Sequence, residues 1–183
     1  MNKKWSKPKI IMNVIAIIST IITIILFIIH KFVNIEIIEI LNITFLTISF
    51  HFDVRLAIGS IVPLFKSSIN VNNKWFKLNK IENKLYEIMR VKKWKSKAPT
   101  YEPDEFNVEK HTYKEIVVNM CNSEIVHEIN VLISYLPLIF IIWFGSPLVF
   151  ILTSVLASMY DLQFVIIQRY NRPRIIKIMK RKE

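Results

Sequence analysis

Apolar residues gather in long blocks along this chain, and the blocks alternate with lysine-rich segments. Residues 10 to 29 are a nearly unbroken run of Ile, Leu, Val and Phe. About twenty residues at 1.5 Å of rise each match a ~30 Å hydrocarbon slab, so this run predicts a membrane-spanning helix. A polar break follows, with His30, Lys31, Asn34, Glu36 and Glu39. The next block, Leu41 to Phe65, is long enough to cross but carries His51, Asp53 and Arg55 near its middle. Ionisable groups are costly in hydrocarbon and usually face a bundle interior or a partner. The block is therefore either a span with a polar inner face or a re-entrant helix. His51 and Arg55, four apart, share a helical face; Asp53 and Arg55, two apart, do not and are not simply each other's counter-ion.

From Lys66 to about Val117, Lys, Asn and Glu dominate. Trp75, Leu78, Ile81, Leu85, Ile88 and Met89 recur at helical intervals against lysines. That periodicity predicts one or two amphipathic helices over Trp75 to Lys95, lying on headgroups with their tryptophans at the interface. The two prolines of Ala98 to Pro103 end the pattern. A helical pattern resumes over Thr112 to Ile129 and leads into the apolar run Val131 to Phe144. Gly145-Ser146-Pro147 forms a corner, and Leu148 to Ile167 crosses back with Asp161 and Gln163 inside it. The expected fold is an all-α integral membrane protein of about four transmembrane helices, with an amphipathic helical segment on the cytoplasmic face between the second and third. Its expected divisions are an N-terminal transmembrane pair (1 to 65), a basic interfacial region (66 to 117) and a helical hairpin with a basic exit (118 to 183).

Composition adds orientation and exclusions. Hydrophobic residues make up 52% of the chain beside only 2 Gly and a net charge of +11, a pairing resolved if apolar residues sit in spans and charges between them. The N-terminal tail, with Lys3, Lys4, Lys7 and Lys9, the Lys66 to Lys114 region and the Arg169 to Lys182 tail hold every basic residue except Lys31 and Arg55. Four spans place these three segments on one side, predicting a multi-pass cell-membrane protein with both termini cytoplasmic. The first apolar run is too long for a cleaved signal peptide and reads as a span that stays. The basic excess then points to membrane lipids rather than nucleic acid. Cys121 is the single cysteine, so no internal disulfide forms, and no Cys/His spacing suggests a metal. Scarce glycine and the lack of inverted repeats weigh against a transporter.

Two places carry candidate chemistry. Glu124 and His127 are three apart and share a helix face, and a carboxylate that fixes an imidazole tautomer makes a competent general base. The same spacing also suits a helix end whose polar face meets water. Two spans joined by a tight corner end where they began, so Arg169, Arg172 and Arg174 return to the surface that bears Glu124 and His127. Guanidinium forks suit phosphate, either of an acyl donor or of a lipid headgroup; a stop signal lying loosely on anionic lipid needs the same residues. Pro173 predicts that these arginines stand on a bend. His51 and Asp161 are candidates to line a polar cavity that takes a sugar, and Asp161 equally suits a bond to a polar neighbour on another span.

Three segments resemble a known family. Gln168-Arg169-Tyr170-Asn171-Arg172-Pro173-Arg174, the Glu124-x-x-His127 step before a span, and Val91-Lys92-Lys93-Trp94-Lys95 followed by Pro99 are similar in order and approximate spacing to the signatures of the glycosyl-diaponeurosporenoate acyltransferases over roughly residues 75 to 180. The resemblance implies a small membrane enzyme that esterifies a sugar hydroxyl on a lipid with a fatty acyl chain. No bound cofactor is implied; acyl-CoA or an acyl carrier protein is the expected donor and a lipid-linked sugar the acceptor. On this reading His127 is the base, with Glu124 orienting it. Gln168, Arg169, Asn171, Arg172, Arg174, Lys93, Trp94, Lys95, His51 and Asp161 are the binding candidates, with Trp94 and its lysines also placed as a headgroup anchor. Asn122 stands where an arginine is usual, Glu128 where a tryptophan is, and Asp161-Leu162-Gln163 where the family has Asn-x-Pro; these departures bear on the acceptor more than on acyl transfer. The alternative is a non-catalytic membrane module that binds a partner protein or anionic lipid through its basic face.

Overall fold

The computed structural model describes residues 6–33 and 35–182, so the readings on Lys3, Lys4 and Asn34 lie outside it. The described chain is helical, with no strand among the described residues. Four helical stretches are long and apolar enough to cross a membrane: Lys7–Phe32, Glu36–Ser68, Tyr113–Phe144 and Pro147–Lys182. The first is α1 (Lys7–Phe32), opened by Ser6, whose hydroxyl accepts the Lys9 amide. The second is α2 (Glu36–Ile61) with a 3-10 extension, Val62–Ser68. It runs on without the reversal a re-entrant helix requires.

Short elements follow: a 3-10 turn at Lys74–Phe76, α3 (Lys80–Ile88) and α4 (Val91–Trp94). Then come α5 (Tyr113–Ile133), a 3-10 turn at Leu136–Phe140, α6 (Ile141–Phe144) and α7 (Pro147–Lys182). The corner before α7 is built by Gly145 at φ 63 and Ser146 at φ 51; glycine meets the first of these without steric cost.

The chain forms two compact units, Met1–Ile58 with Asn130–Tyr160, and Gly59–Ile129 with Asp161–Glu183. They interleave in sequence. In the first unit, small and hydroxyl side chains do the packing, as expected where lipid removes the hydrophobic drive between helices. Ala16 and Ser19 of α1 are buried. Thr20 shares a 2.7 Å hydrogen bond with Ser49, and Ser49 donates to Asp53 at 2.8 Å. Arg55 donates to the carbonyls of His51, at 2.6 Å, and Ala157, at 2.8 Å. The Tyr135 hydroxyl donates to Ser158 at 3.0 Å. The isoleucines of α1 stay largely exposed, as a lipid-facing helix requires.

In the second unit the predicted amphipathic stretch is broken. Arg90 takes a left-handed φ of 51 and separates α3 from α4. The indole of Trp94 donates to the Met89 carbonyl at 3.1 Å, satisfying a group that the end of α3 leaves open. Trp94, half-buried, also packs on a core of Tyr86, Val91, Ile166 and Tyr170. Ile81, Leu85 and Ile88 remain exposed along one stripe of α3. Pro173 does not break the helix as expected: α7 continues through it. An interior proline costs ~3 kcal/mol, and Arg169 and Arg172, in the turn just before it, are both fastened to other elements.

The start of α3 is fixed by a capping box. Asn79 accepts the Glu82 amide at 2.7 Å and Glu82 accepts the Asn79 amide at 2.9 Å. Asn79→Ala is expected to lower unfolding stability by about 1 kcal/mol, measured by denaturant unfolding in detergent, with the helical circular dichroism of the folded state retained.

Candidate functional site

The site belongs to the second unit and rests on α5 and the later part of α7. Glu124 of α5 is fully buried. One carboxylate oxygen accepts from Arg169 at 2.8 Å and the other from Arg172. Arg172, itself 1% exposed, also donates to the Phe76 carbonyl and lies over the Phe76 ring at 5.1 Å. Arg169 reaches Glu82 at 2.9 Å and the Trp75 carbonyl at 3.1 Å. Glu128 accepts from the Trp75 indole at 2.9 Å and lies 3.8 Å from Arg169. The cluster thus ties the Lys74–Phe76 turn, α3, α5 and α7 together. Tyr86 is packed against it, and burial, followed by the nearby Glu82, pushes its phenol above the ordinary range.

His127 stands one turn beyond Glu124 but does not use it. Its Nδ1 lies 2.8 Å from the Asp161 carboxylate. The expected Glu124 tether is therefore corrected: two arginines occupy Glu124, and Asp161 takes the orienting place. The physical reason is charge. A buried carboxylate between two guanidinium groups is held far more firmly than one beside a neutral imidazole. Asp161 is buried, whereas the His127 side chain keeps 22% of its surface exposed. Phe164 stacks on the imidazole, with centroids 4.6 Å apart and planes 20° apart. The carboxylate selects the tautomer with a proton on Nδ1 and leaves Nε2 as the basic nitrogen. No described residue bonds Nε2.

The remaining candidates divide into three sets. Gln168 donates to Ser123 at 3.2 Å and is buried. Lys95 donates to Asn171 and sits 5.1 Å from the centre of the Tyr170 ring, while Arg174 lies 3.5 Å from the same ring and donates to the Tyr170 carbonyl. Neither cation pairs with a carboxylate among the described residues. Burial, then the neighbouring charges of Arg174 and Lys92, holds Lys95 below the usual lysine range. Lys93 is exposed. His51 belongs to the first unit, against Phe50. Among the described residues, no three His, Cys, Asp or Glu side chains gather to hold a metal.

Sequence reasoning missed Glu82, the carbonyls of Trp75 and Phe76, and the partnership of Asp161 with His127. Asp161 carried a usable signal, being the one acid between Glu128 and Glu183. Such an acid inside an apolar run needs a donor, and His127 precedes the neighbouring span.

Fold and site define a helical protein of membrane-spanning character that carries a buried Glu/Arg cluster and a carboxylate-held histidine. Residues 72–181, more than half the chain, match the glycosyl-4,4'-diaponeurosporenoate acyltransferase family, and the chain belongs to it. Acyl transfer is the chemistry that the family name describes. No curated protein and no solved structure matches the chain.

Removing one partner of a buried ion pair strands the other, at a cost of about 3–5 kcal/mol. Glu124→Leu is expected to abolish accumulation of folded protein. The double substitution Glu124→Leu with Arg172→Met removes both charges and is expected to recover part of that loss, read as the yield of monodisperse protein in detergent.

Proposed function

We propose that the chain is a membrane-bound acyltransferase that moves a fatty acyl group from a thioester donor to a hydroxyl of a glycosylated lipid, of which a carotenoid glycoside is the example in the family's name. The observation that carries this reading is the His127–Asp161 pair: a buried carboxylate on Nδ1 of a partly exposed imidazole is the arrangement of a general base. Nε2 of His127 takes the proton of the acceptor hydroxyl as its oxygen attacks the thioester carbonyl. The C–S bond then breaks, the imidazolium returns the proton to the departing thiolate, and an ester and a free thiol result. Glu124 plays a positioning part.

Lys95 and Arg174 supply the donor's phosphate site on this reading, because Arg169 and Arg172 are already committed to acids. Asp161 and Arg174 are thirteen positions apart on α7, about 20 Å along a helix, which suits an extended phosphopantetheine arm with its phosphate at one end and its thioester at the other. Acyl-CoA and acyl carrier protein both present that arm. The lysine distribution supports a cell-membrane protein with four spans and both termini cytoplasmic. The exposed stripe of Ile81, Leu85 and Ile88 beside lysines also favours a second reading, a non-catalytic module on anionic lipid. That reading gives the dyad no task.

His127→Ala and Asp161→Asn are each expected to lower kcat by roughly 10²–10⁴-fold while the protein still inserts and accumulates. Lipid mass spectrometry of expressing cells, which looks for a species heavier by one acyl group, is the readout. Undiminished ester in the His127→Ala strain would remove the base from the mechanism. Lys95→Gln and Arg174→Gln are expected to raise the donor KM about tenfold with kcat little changed, separating donor anchorage from proton transfer.

A further inference from the structure

We infer that two copies of this chain pair in the membrane across the exposed face of α2, with the Asp53 side chains of the two copies hydrogen-bonded to each other. The inference rests on α2 as a span and not on the acyl-transfer chemistry. Asp53 stands at the middle of the apolar block Leu41 to Phe65, twelve residues from either end, about 18 Å of helix in each direction. An acid at that depth is costly in hydrocarbon and is normally turned toward a bundle interior. Asp53 is instead exposed on the outside of the chain.

Its neighbours leave one oxygen of the carboxyl group open. Ser49, one turn earlier on α2, donates to Oδ2 at 2.8 Å, and the Thr20 hydroxyl of α1 lies 3.4 Å from the same oxygen. No described residue bonds Oδ1. The exposed side continues along α2 at helical spacing, since Leu46, seven residues before Asp53, and Ala57, four after it, are both exposed. On α1, Ile17 and Ile24 stand three residues before and four after Thr20 and are exposed as well. The face is therefore apolar around a single acid that has an acceptor to offer.

A second copy of the chain meets this demand with its own Asp53. Copies inserted in the same sense are related by a two-fold axis normal to the bilayer, which brings each residue on that axis opposite its counterpart at the same depth. Two aspartates that share one proton are self-complementary there, because one carboxyl donates to the open oxygen of the other and like charge is avoided. Side chains as short as Asp meet only where helix backbones come close, and the small Ala57 one turn away permits that approach. Steps of seven and four residues, from Leu46 to Asp53 to Ala57, are also those of the seam between two supercoiled helices. A lysine or arginine on a foreign helix would reach Asp53 from a distance and would need no small residue beside it.

The test places the fluorescently tagged full chain in liposomes at falling protein-to-lipid ratio and counts copies by single-molecule photobleaching. Dimers are expected at high ratio and monomers on dilution. Asp53→Leu alters an exposed side chain and is expected to raise the dissociation constant about tenfold, the worth of an interhelical hydrogen bond, with helical circular dichroism retained. Asp53→Asn, whose amide both donates and accepts, is expected to keep the dimer. Ala57→Cys is expected to give a disulfide-linked dimer on mild oxidation in membranes, whereas Leu132→Cys, at an exposed position of α5, is not; the native Cys121 is buried and supplies the background. A wild-type chain that is monomeric at every ratio, a dissociation constant unmoved by Asp53→Leu, or cross-linking through Leu132→Cys in place of Ala57→Cys would overturn the pairing. Equal loss of the dimer in Asp53→Asn and Asp53→Leu would overturn the carboxyl contact. A monomer that co-purifies with a second membrane protein and releases it on Asp53→Asn would assign the face to a cationic partner and overturn the inference.

Discussion

A buried carboxylate caught between two guanidinium groups sets the geometry of the functional unit. Glu124 sits on α5 and Arg169 and Arg172 on α7, and each arginine also holds backbone of the Lys74–Phe76 turn. Such a cluster is poor evidence for net stability, because desolvating three charges consumes much of what their attraction returns. It is a strong determinant of register. Any slip of α7 along α5 would leave a full charge in a closed interior. The direction of helical side chains makes the same point, since each leans toward its own helix's N-terminus. On an antiparallel pair Glu124 and the arginines lean toward each other. Arg169 and Arg172 therefore lie eight and eleven residues beyond Asp161, while Glu124 lies only three before His127. The cluster and the dyad close at the same register, so the first positions the second.

Charge is divided by task within this unit. Arg169 and Arg172 are spent on acids and carbonyls and have little left for a ligand. Lys95 and Arg174 share the face of one tyrosine without a carboxylate between them, and their mutual repulsion is one of the forces holding Lys95 below the usual lysine range. Two like charges held together are a standing demand for an anion. Glu128, which replaces the tryptophan that the family resemblance leads one to expect, bonds the Trp75 indole and approaches Arg169. It extends the structural cluster rather than the site of chemistry.

The spans were legible from composition and length alone, because hydrocarbon thickness imposes a run of about twenty apolar residues that few other constraints imitate. The hairpin was legible too, and from it the meeting of Glu124 with the arginines at 169 and 172. Pairwise assignments were not. A three-residue spacing puts Glu124 and His127 on one face but does not say which of several nearby cations each acid prefers, and that choice is made by charges 45 to 48 residues away. The amphipathic helix was overextended because periodicity carries no signal for a left-handed residue such as Arg90. Pro173 does not end α7, because the local cost of a proline is visible in sequence and the tertiary contacts of the helix around it are not.

Polar residues in the long helices follow two different rules. In α1 and α2, Thr20, Ser49 and Asp53 form a short ladder whose hydroxyls bond along and across helices, the ordinary means of packing where both surroundings and side chains are apolar. Those two helices precede the matched residues 72–181. Within that range Asn130, Ser154 and Ser158 are buried in the same way, and beside them stand Glu124, His127, Asp161, Arg169 and Arg172, charged or titratable groups that packing alone would not select, since an apolar residue of similar volume stabilises as well or better. Both ends of the proposed reaction, the dyad and the Lys95–Arg174 pair, lie inside the matched residues.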